Sequence, residues 1–170
     1  MENNVQVIKG LFLTPMGQKN SLEDKRSRSL MNEINSAFAD RHINAKLMRI
    51  DDIHHRGNIL NNIITEIRKS NFVIADLTNQ NANVYYELGF AKGTNTADIC
   101  ICEENNYRLA SDVGGDYTIP YNIDNATSKL EFYRSVIGAF KEINFDPNVH
   151  SMAELYYTTA EVINTKESKD

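Results

Sequence analysis

The sequence predicts an α/β domain with a doubly wound, mainly parallel sheet of about five strands flanked by helices. Segments rich in β-formers alternate with segments whose apolar residues repeat at helical spacing, which is the order of a sheet with crossover helices. Residues 72–75 are apolar throughout, as expected of a strand that helices cover on both faces. With 170 residues and 41% hydrophobic content, the chain can bury one substantial core.

The first predicted strand and helix lie near the start of the chain. β-Formers over residues 5–14 predict a strand, which stops at the turn signal of residues 15–17. Ser21 is a favourable N-cap for the following helix, because Asp24 places an acid in the first turn. The helical spacing of apolar residues continues to Asp40.

A second strand and helix precede the buried strand. Residues 45–50 predict the strand, and Asn58 is expected to cap a helix that ends near Ser70. The apolar strand of residues 72–75 follows, and Asp76 stands at its carboxyl end. This order repeats the strand and helix rhythm a second time.

The remaining pattern predicts a helix over residues 84–92, a fourth strand over residues 97–102 and a long helix over residues 124–144. Strand alternation points Cys100 and Cys102 to the same face, so we expect two reduced core thiols instead of a disulfide. A metal site would need further ligands, and we predict neither a metal nor a cofactor.

We predict one domain over residues 1–164 and a solvated tail over residues 165–170. The net charge of -5 and the pI near 5.4 argue against a nucleic acid polymer or an anionic membrane as partner. The first residues lack the apolar run of a signal peptide, and no stretch of about 18 apolar residues occurs. A cytoplasmic protein is therefore expected.

The carboxyl ends of the strands are the expected place for a ligand, because open α/β sheets bind beyond them where the strand order changes. The residues after the first three strands include Thr14, Asp51 and Asp76, which are all polar. Thr78 follows closely, and Asn83 stands near the start of the next helix. We expect these polar groups to lie close together at one opening beyond the carboxyl ends of the strands.

Glu87 is the unusual residue of the predicted third helix. At about 100° per residue, it projects between two apolar stripes. One stripe consists of Val84, Leu88 and Ala91, and the other of Tyr86 and Phe90. A carboxylate placed there loses hydration, which raises its pKa unless a partner compensates.

Two interpretations of Glu87 remain open from spacing alone. It can pair with an arginine such as Arg49 or Arg68 and tie the helix to the sheet. Alternatively it is functional, together with the polar groups near it; Asn83 shares its helix face at i, i+4. Tyr86 is the aromatic residue that we expect to approach a ligand, with Tyr85 in the interior.

The sequence contains GLFLTPMG at residues 10–17, a polar segment that ends in Gly57, and VIADLTNQNANVYYELG at residues 73–89. These three segments, the last above all, resemble the nucleoside 2-deoxyribosyltransferase-like superfamily, which includes nucleotide N-glycosidases and is related in fold to TIR domains that cleave NAD. IPYNI, residues 119–123, is similar only faintly. Ala82 stands where the family commonly has proline. The resemblance implies a flavodoxin-like fold.

The resemblance also implies cleavage of the bond between a sugar and a base, with Glu87 as nucleophile. Asp76 would bind sugar hydroxyls or assist proton transfer. The loop after the first strand would hold a phosphate or sugar, and it consists of Thr14, Pro15, Met16 and Gly17. Backbone N–H groups at the start of the first helix can attract an anion there, and Ser21, Arg26 and Arg28 could strengthen this site. The leaving base needs a proton or hydrogen bond, for which Asp51, Asp52 and Asp76 are candidates.

Two classes of function follow. The first is an N-glycosidase or deoxyribosyltransferase acting on a nucleoside, nucleotide or NAD-like small molecule. The residues do not decide whether water or a second base accepts the sugar. The second is a non-catalytic nucleotide-binding sensor in signalling or defence. Small enzymes of this type often complete their pocket with a neighbouring subunit, so a homodimer is expected.

Overall fold

A computed structural model describes residues 7–53, 59–106 and 117–145 of the chain. Within these ranges five strands alternate with four α-helices, and three short 3-10 helices lie between them. The strands are β1 (Ile8–Leu13), β2 (Ala45–Met48), β3 (Phe72–Asp76), β4 (Ala97–Glu103) and β5 (Thr118–Tyr121). The helices are α1 (Leu22–Ala39), α2 (Ile59–Lys69), α3 (Ala82–Gly93) and α4 (Ala126–Glu142).

All five strands belong to one parallel sheet in the order β2-β1-β3-β4-β5. The chain moves outward from β1 to β2, and then returns past β1 to form β3 on the other side. The strand order therefore reverses between β1 and β3, where a crevice forms beyond the carboxyl ends. The predicted doubly wound, flavodoxin-like α/β fold is confirmed.

Two hydrophobic cores lie on opposite faces of this sheet. Helices α1 and α4 cover the first face, where their apolar side chains pack on Phe12, Phe72 and Ile74. Helices α2 and α3 cover the second face, where they pack on Leu11, Val73 and other residues. Helices on both faces explain why the central strands are apolar without interruption.

Strand β3 shows how the two cores divide its side chains. Phe72 and Ile74 point into the core of α1 and α4, whereas Val73 and Ala75 point into the core of α2 and α3. Successive side chains of a strand point to opposite faces. Asp76, the last residue of β3, therefore points to the face of α1 and α4.

Side-chain caps set the starts of three helices. The Ser21 hydroxyl accepts a hydrogen bond from the Asp24 amide at 3.1 Å, which confirms the predicted cap of α1. Helix α3 begins at Ala82, two residues before the predicted start, because the Asn81 side chain caps it. Helix α4 begins at Ala126 and not at residue 124, with Asn125 as its cap. The predicted cap Asn58 lies outside the described residues.

Other boundaries differ by a few residues from the prediction. Strand β1 begins at Ile8 within the described part of the chain, and β2 ends at Met48 because the chain turns into a 3-10 helix over Ile50–Asp52. The short strand β5 had no strand pattern of its own, and it forms at the sheet edge beside β4. The predicted tail, residues 165–170, lies outside the described residues.

Gly10 allows β1 and β3 to approach each other across the first core. It pairs with Phe72 in the sheet, and a Cβ at Gly10 would lie 2.3 Å from the Phe72 ring. That ring cannot move aside easily, because it is fully buried and packs edge-on against Phe38 and Phe140. A side chain at residue 10 would therefore force the core to shift.

We predict that Gly10→Ala lowers the free energy of unfolding by about 1–3 kcal/mol, because it overpacks the core at the Phe72 ring. Urea denaturation followed by circular dichroism measures the difference. The matched control is Gly138→Ala in α4, where an added Cβ meets no atom within 4 Å. That helical substitution should instead stabilise by roughly 0.5–1 kcal/mol. A Gly10→Ala protein as stable as the control would contradict the packing argument.

Candidate active site

A cleft opens at the point where the strand order reverses. It runs from the carboxyl end of β1 past the end of β2 to α2 and α3, and its cavity volume is about 10 Å³. That is room for roughly one water molecule. Its described lining residues are Leu11, Phe12, Leu13, Thr14, Met16, Ile50, Ile63 and Glu87.

Glu87 reaches this cleft from the middle of α3 as a half-buried side chain. Burial raises the pKa of its carboxyl from 4.5 to about 7. Among the described residues, no hydrogen bond or ion pair to Glu87 offsets this effect. The two arginines considered as partners are placed elsewhere: Arg49 binds two aspartates, and Arg68 lies over the Phe90 ring. The carboxyl therefore meets the cleft without a described counterion.

Asp76 is not among the described residues that line the cleft with Glu87. Its carboxylate is buried on the face of α1 and α4, where Tyr121 donates a hydrogen bond at 3.0 Å. The Thr78 amide donates another at 3.1 Å, and the Thr78 hydroxyl also donates. Burial raises the pKa of Asp76 despite these bonds. The Thr78 hydroxyl also accepts a hydrogen bond from the Glu103 amide. This residue, which was predicted to bind the substrate, therefore joins the end of β3 to β4.

Asp51 belongs to an ion-pair cluster beside the cleft and not to its lining. Arg49, only 1% exposed, donates to both Asp51 oxygens at 2.9 and 3.0 Å and also contacts Asp24 at 3.0 Å. Arg28 binds Asp24, Asp51 and Asp52. The cluster is a bidentate network that joins the end of β2 to α1. Asp51 and Asp52 are thus held by arginines in the geometry observed.

The loop after β1 contributes Thr14 and Met16 to the cleft, whereas Pro15 does not line it. Gly17 packs against α1, because a Cβ there would lie 2.4 Å from the Ser21 hydroxyl. At the start of α1 the Asp24 carboxylate accepts the Asn20 amide at 2.9 Å, which lowers the Asp24 pKa. The chain's own acid thus occupies the helix end that was considered for an anion.

The arginines that could have strengthened this anion site are engaged as well. Arg26 is paired with Glu103, and Arg28 with the three aspartates of the ion-pair cluster. No lysine or arginine is among the described lining residues of the cleft. Phosphate binding by this loop stays a prediction, without a described cation to support it.

The two other predicted binding residues lie on the outer side of α3. Asn83 is exposed, and its amide donates to the Asn81 cap at 3.0 Å. Tyr86 is 55% exposed, whereas Phe90, the other residue of the second stripe, packs against the core of α2 and α3. Tyr85 packs against the core of α2 and α3, as predicted. Of the predicted site residues, Thr14, Met16 and Glu87 line the cleft, and the others lie outside its described lining.

Sequence reasoning missed Ile50, Ile63 and Tyr121. The first two line the cleft, and Tyr121 binds Asp76. Ile63 lies in α2. Tyr121 lies in the segment that resembled the family faintly, and that segment was the available signal. Their roles depend on which elements become neighbours in the sheet.

The described residues also bear on metals, thiols and membranes. Within 7–53, 59–106 and 117–145, no group of three or more His, Cys, Asp or Glu residues could hold a metal ion. Cys100 and Cys102 are buried and reduced, and burial raises the pKa of the Cys102 thiol to about 11, which makes it a poor nucleophile. None of the described helices has both the length and the hydropathy needed to span a bilayer.

We predict that Glu87→Gln makes stability less dependent on pH. Between pH 4.5 and 7 the folded protein holds a proton on Glu87 that the unfolded chain releases, so rising pH destabilises the wild type across this window. The variant should be more stable by roughly 1–3 kcal/mol at pH 8 and should differ little at pH 4.5. Urea unfolding at both pH values measures this.

The control for this experiment is Glu142→Gln, an exposed glutamate at the end of α4. It carries the same change of charge without the burial, and its effect should be small at both pH values. A Glu87→Gln effect that is equal at both pH values would contradict the raised pKa.

The chain was also compared with known proteins. No family model matches it, and a search of curated proteins finds no similar sequence. The similarity of residues 73–89 to the deoxyribosyltransferase-like superfamily therefore stays a prediction from the motif, and the geometry of the cleft carries the functional argument.

Proposed function

We propose that the protein cleaves the N-glycosidic bond of a nucleoside or a related compound, with Glu87 as nucleophile. The observation that carries this proposal is the unpaired, partly desolvated Glu87 carboxyl in the cleft at the strand reversal. A glutamate with a structural role would be expected to hold an arginine or an amide. Glu87 instead lines a small cleft, which has to widen to admit a sugar.

The chemistry requires few groups. As the bond from C1 of the sugar to the base nitrogen breaks, its electron pair leaves with the base and the sugar becomes oxocarbenium-like. The Glu87 carboxylate forms a bond to C1 on the opposite side. Water then attacks C1 and displaces the carboxylate, or a second base does so in a transferase. Both outcomes use the same first step.

A pKa near 7 suits a carboxylate in this role. Around neutral pH about half of the molecules carry the ionised form, which is the nucleophile. The same desolvation leaves the carboxylate poorly solvated and therefore reactive once ionised. We expect base release to rise with pH through the titration of Glu87.

Asp76 and Asp51 have supporting roles in this proposal. Asp76 holds Tyr121 and Thr78 on the other face of the sheet, and Asp51 is bound by Arg28 and Arg49. They keep the strand ends and α1 in place around the cleft. A sugar hydroxyl would instead meet Thr14, whose side chain lies in the lining. A homodimer that completes the site stays a prediction.

We predict that Glu87→Gln lowers base release at least about 1,000-fold, because the nucleophile of the first step is lost. The wild type and the variant are incubated with a panel of nucleosides, nucleotides and NAD, and free base is measured by chromatography. Glu142→Gln, remote from the cleft, should keep wild-type turnover. Circular dichroism checks that each variant is folded.

Two results would contradict the proposal. Undiminished turnover in Glu87→Gln would exclude the nucleophile. Binding of a panel compound without base release by the wild type would favour the sensor class over the enzyme. A glycosyl adduct on Glu87, found by mass spectrometry after rapid quenching, would support covalent catalysis.

A further inference from the structure

We propose that the Asn35 side chain closes the β2 edge of the sheet against strand addition, and that a second copy of this chain pairs there once Asn35 is removed. The inference concerns association of the chain and does not depend on the cleft. Strand β2 is one of the two outer strands of the described sheet. The outer side of such a strand presents backbone N–H and C=O groups with which another chain can pair.

Asn35 in α1 occupies the backbone groups on the outer side of β2. Its carboxamide oxygen accepts a hydrogen bond from the Leu47 amide at 2.8 Å, and its carboxamide nitrogen donates to the Leu47 carbonyl at 2.9 Å. Both backbone groups of Leu47 therefore point away from β1, the strand that pairs with β2 on its inner side. Because backbone groups alternate in direction along a strand, those of Ala45 point outward as well.

The two bonds of Asn35 copy those of an added antiparallel strand. In a hydrogen-bonded antiparallel pair, a single residue exchanges both backbone bonds with the residue opposite. The Asn35 carboxamide makes the same exchange with Leu47, at ordinary hydrogen-bond lengths. Its helix is fixed there, because Ile34 and Phe38 on either side are fully buried in the core of α1 and α4. A new strand has to displace Asn35 before it can bond to Leu47.

The two outer strands differ in how they resist pairing. Strand β5 contains Pro120, which has no amide hydrogen to offer to another chain. Strand β2 contains no proline, and Lys46 is its exposed charged residue. A lysine on an edge strand discourages association by its charge but leaves the backbone groups accessible. Closure of the β2 edge therefore depends mainly on Asn35.

A second copy of this chain is the partner that fits the opened edge. Two copies related by a twofold axis bring their β2 strands together antiparallel, so that the same surface serves on both sides. The outward groups of Ala45 and Leu47 in each copy would then supply the new hydrogen bonds. The strands of both copies would form one continuous sheet. Any homodimer of the wild type must use another surface, because Asn35 occupies this one.

The test is Asn35→Ala, measured by size-exclusion chromatography with light scattering over an approximately 100-fold range of concentration. Alanine is the better helix former, so α1 should persist in the variant. We expect Asn35→Ala to form a species of twice the wild-type mass at concentrations where the wild-type mass stays constant. The matched control is Asn32→Ala on the exposed side of the same helix, which should keep the wild-type mass.

A second substitution tests whether the association uses the β2 edge. Ala45→Pro removes the outward amide hydrogen next to Leu47 along that side and places a ring where an added strand must approach. Ala45→Pro alone should keep the wild-type mass. In the Asn35→Ala background it should abolish the doubled mass. Circular dichroism checks that each variant is folded.

Hydrogen exchange of the wild-type Leu47 amide tests the closure itself, without any substitution. We expect this amide to exchange at least about 100-fold more slowly than in the unfolded chain, because Asn35 holds it. Exchange at the unfolded rate would overturn the inference, and this measurement decides the matter for any variant that does not fold.

Two results with folded variants would also overturn the inference. The first is a wild-type mass for Asn35→Ala at every concentration, which would show that the freed edge does not pair. The second is a doubled mass that persists in Asn35→Ala with Ala45→Pro, which would place the association elsewhere. Neither result bears on base release, so the proposed function stands or falls separately.

Discussion

Burial of β3 on both faces is the constraint on which the rest of the structure depends. Because successive side chains alternate, Asp76 enters the core of α1 and α4, while α3 brings Glu87 to the other face. Two acids that are close in sequence therefore have different surroundings. Asp76 is held by a hydroxyl network, whereas Glu87 meets an open cleft without a described partner.

The ion-pair cluster lies beside the apolar lining of the cleft. Arg49 is buried between the end of β2 and the first turn of α1, where it binds Asp24 and Asp51. Breaking such a buried pair would leave a charge uncompensated, so the cluster fixes this corner of the fold. The cluster also holds Arg49 and Asp51 beside the cleft, whereas Ile50 between them lines it.

A desolvated glutamate without a counterion lowers stability above its pKa, and proteins retain such groups mainly at functional sites. The cost falls on the folded protein alone, and a bound cation or a sugar with developing positive charge would offset it. The same feature thus connects folding energetics with the proposed reaction.

The sequence by itself determined the parallel α/β fold, the cap at Ser21 and the position of Glu87 between apolar residues, because these depend on local pattern and periodicity. It could not place β5, whose four residues form a strand only through pairing with β4. Nor could it decide that Arg49 binds Asp51 instead of Glu87, or that Asp76 faces Tyr121. Those contacts depend on strand order and on the face each side chain occupies, which only the tertiary structure decided.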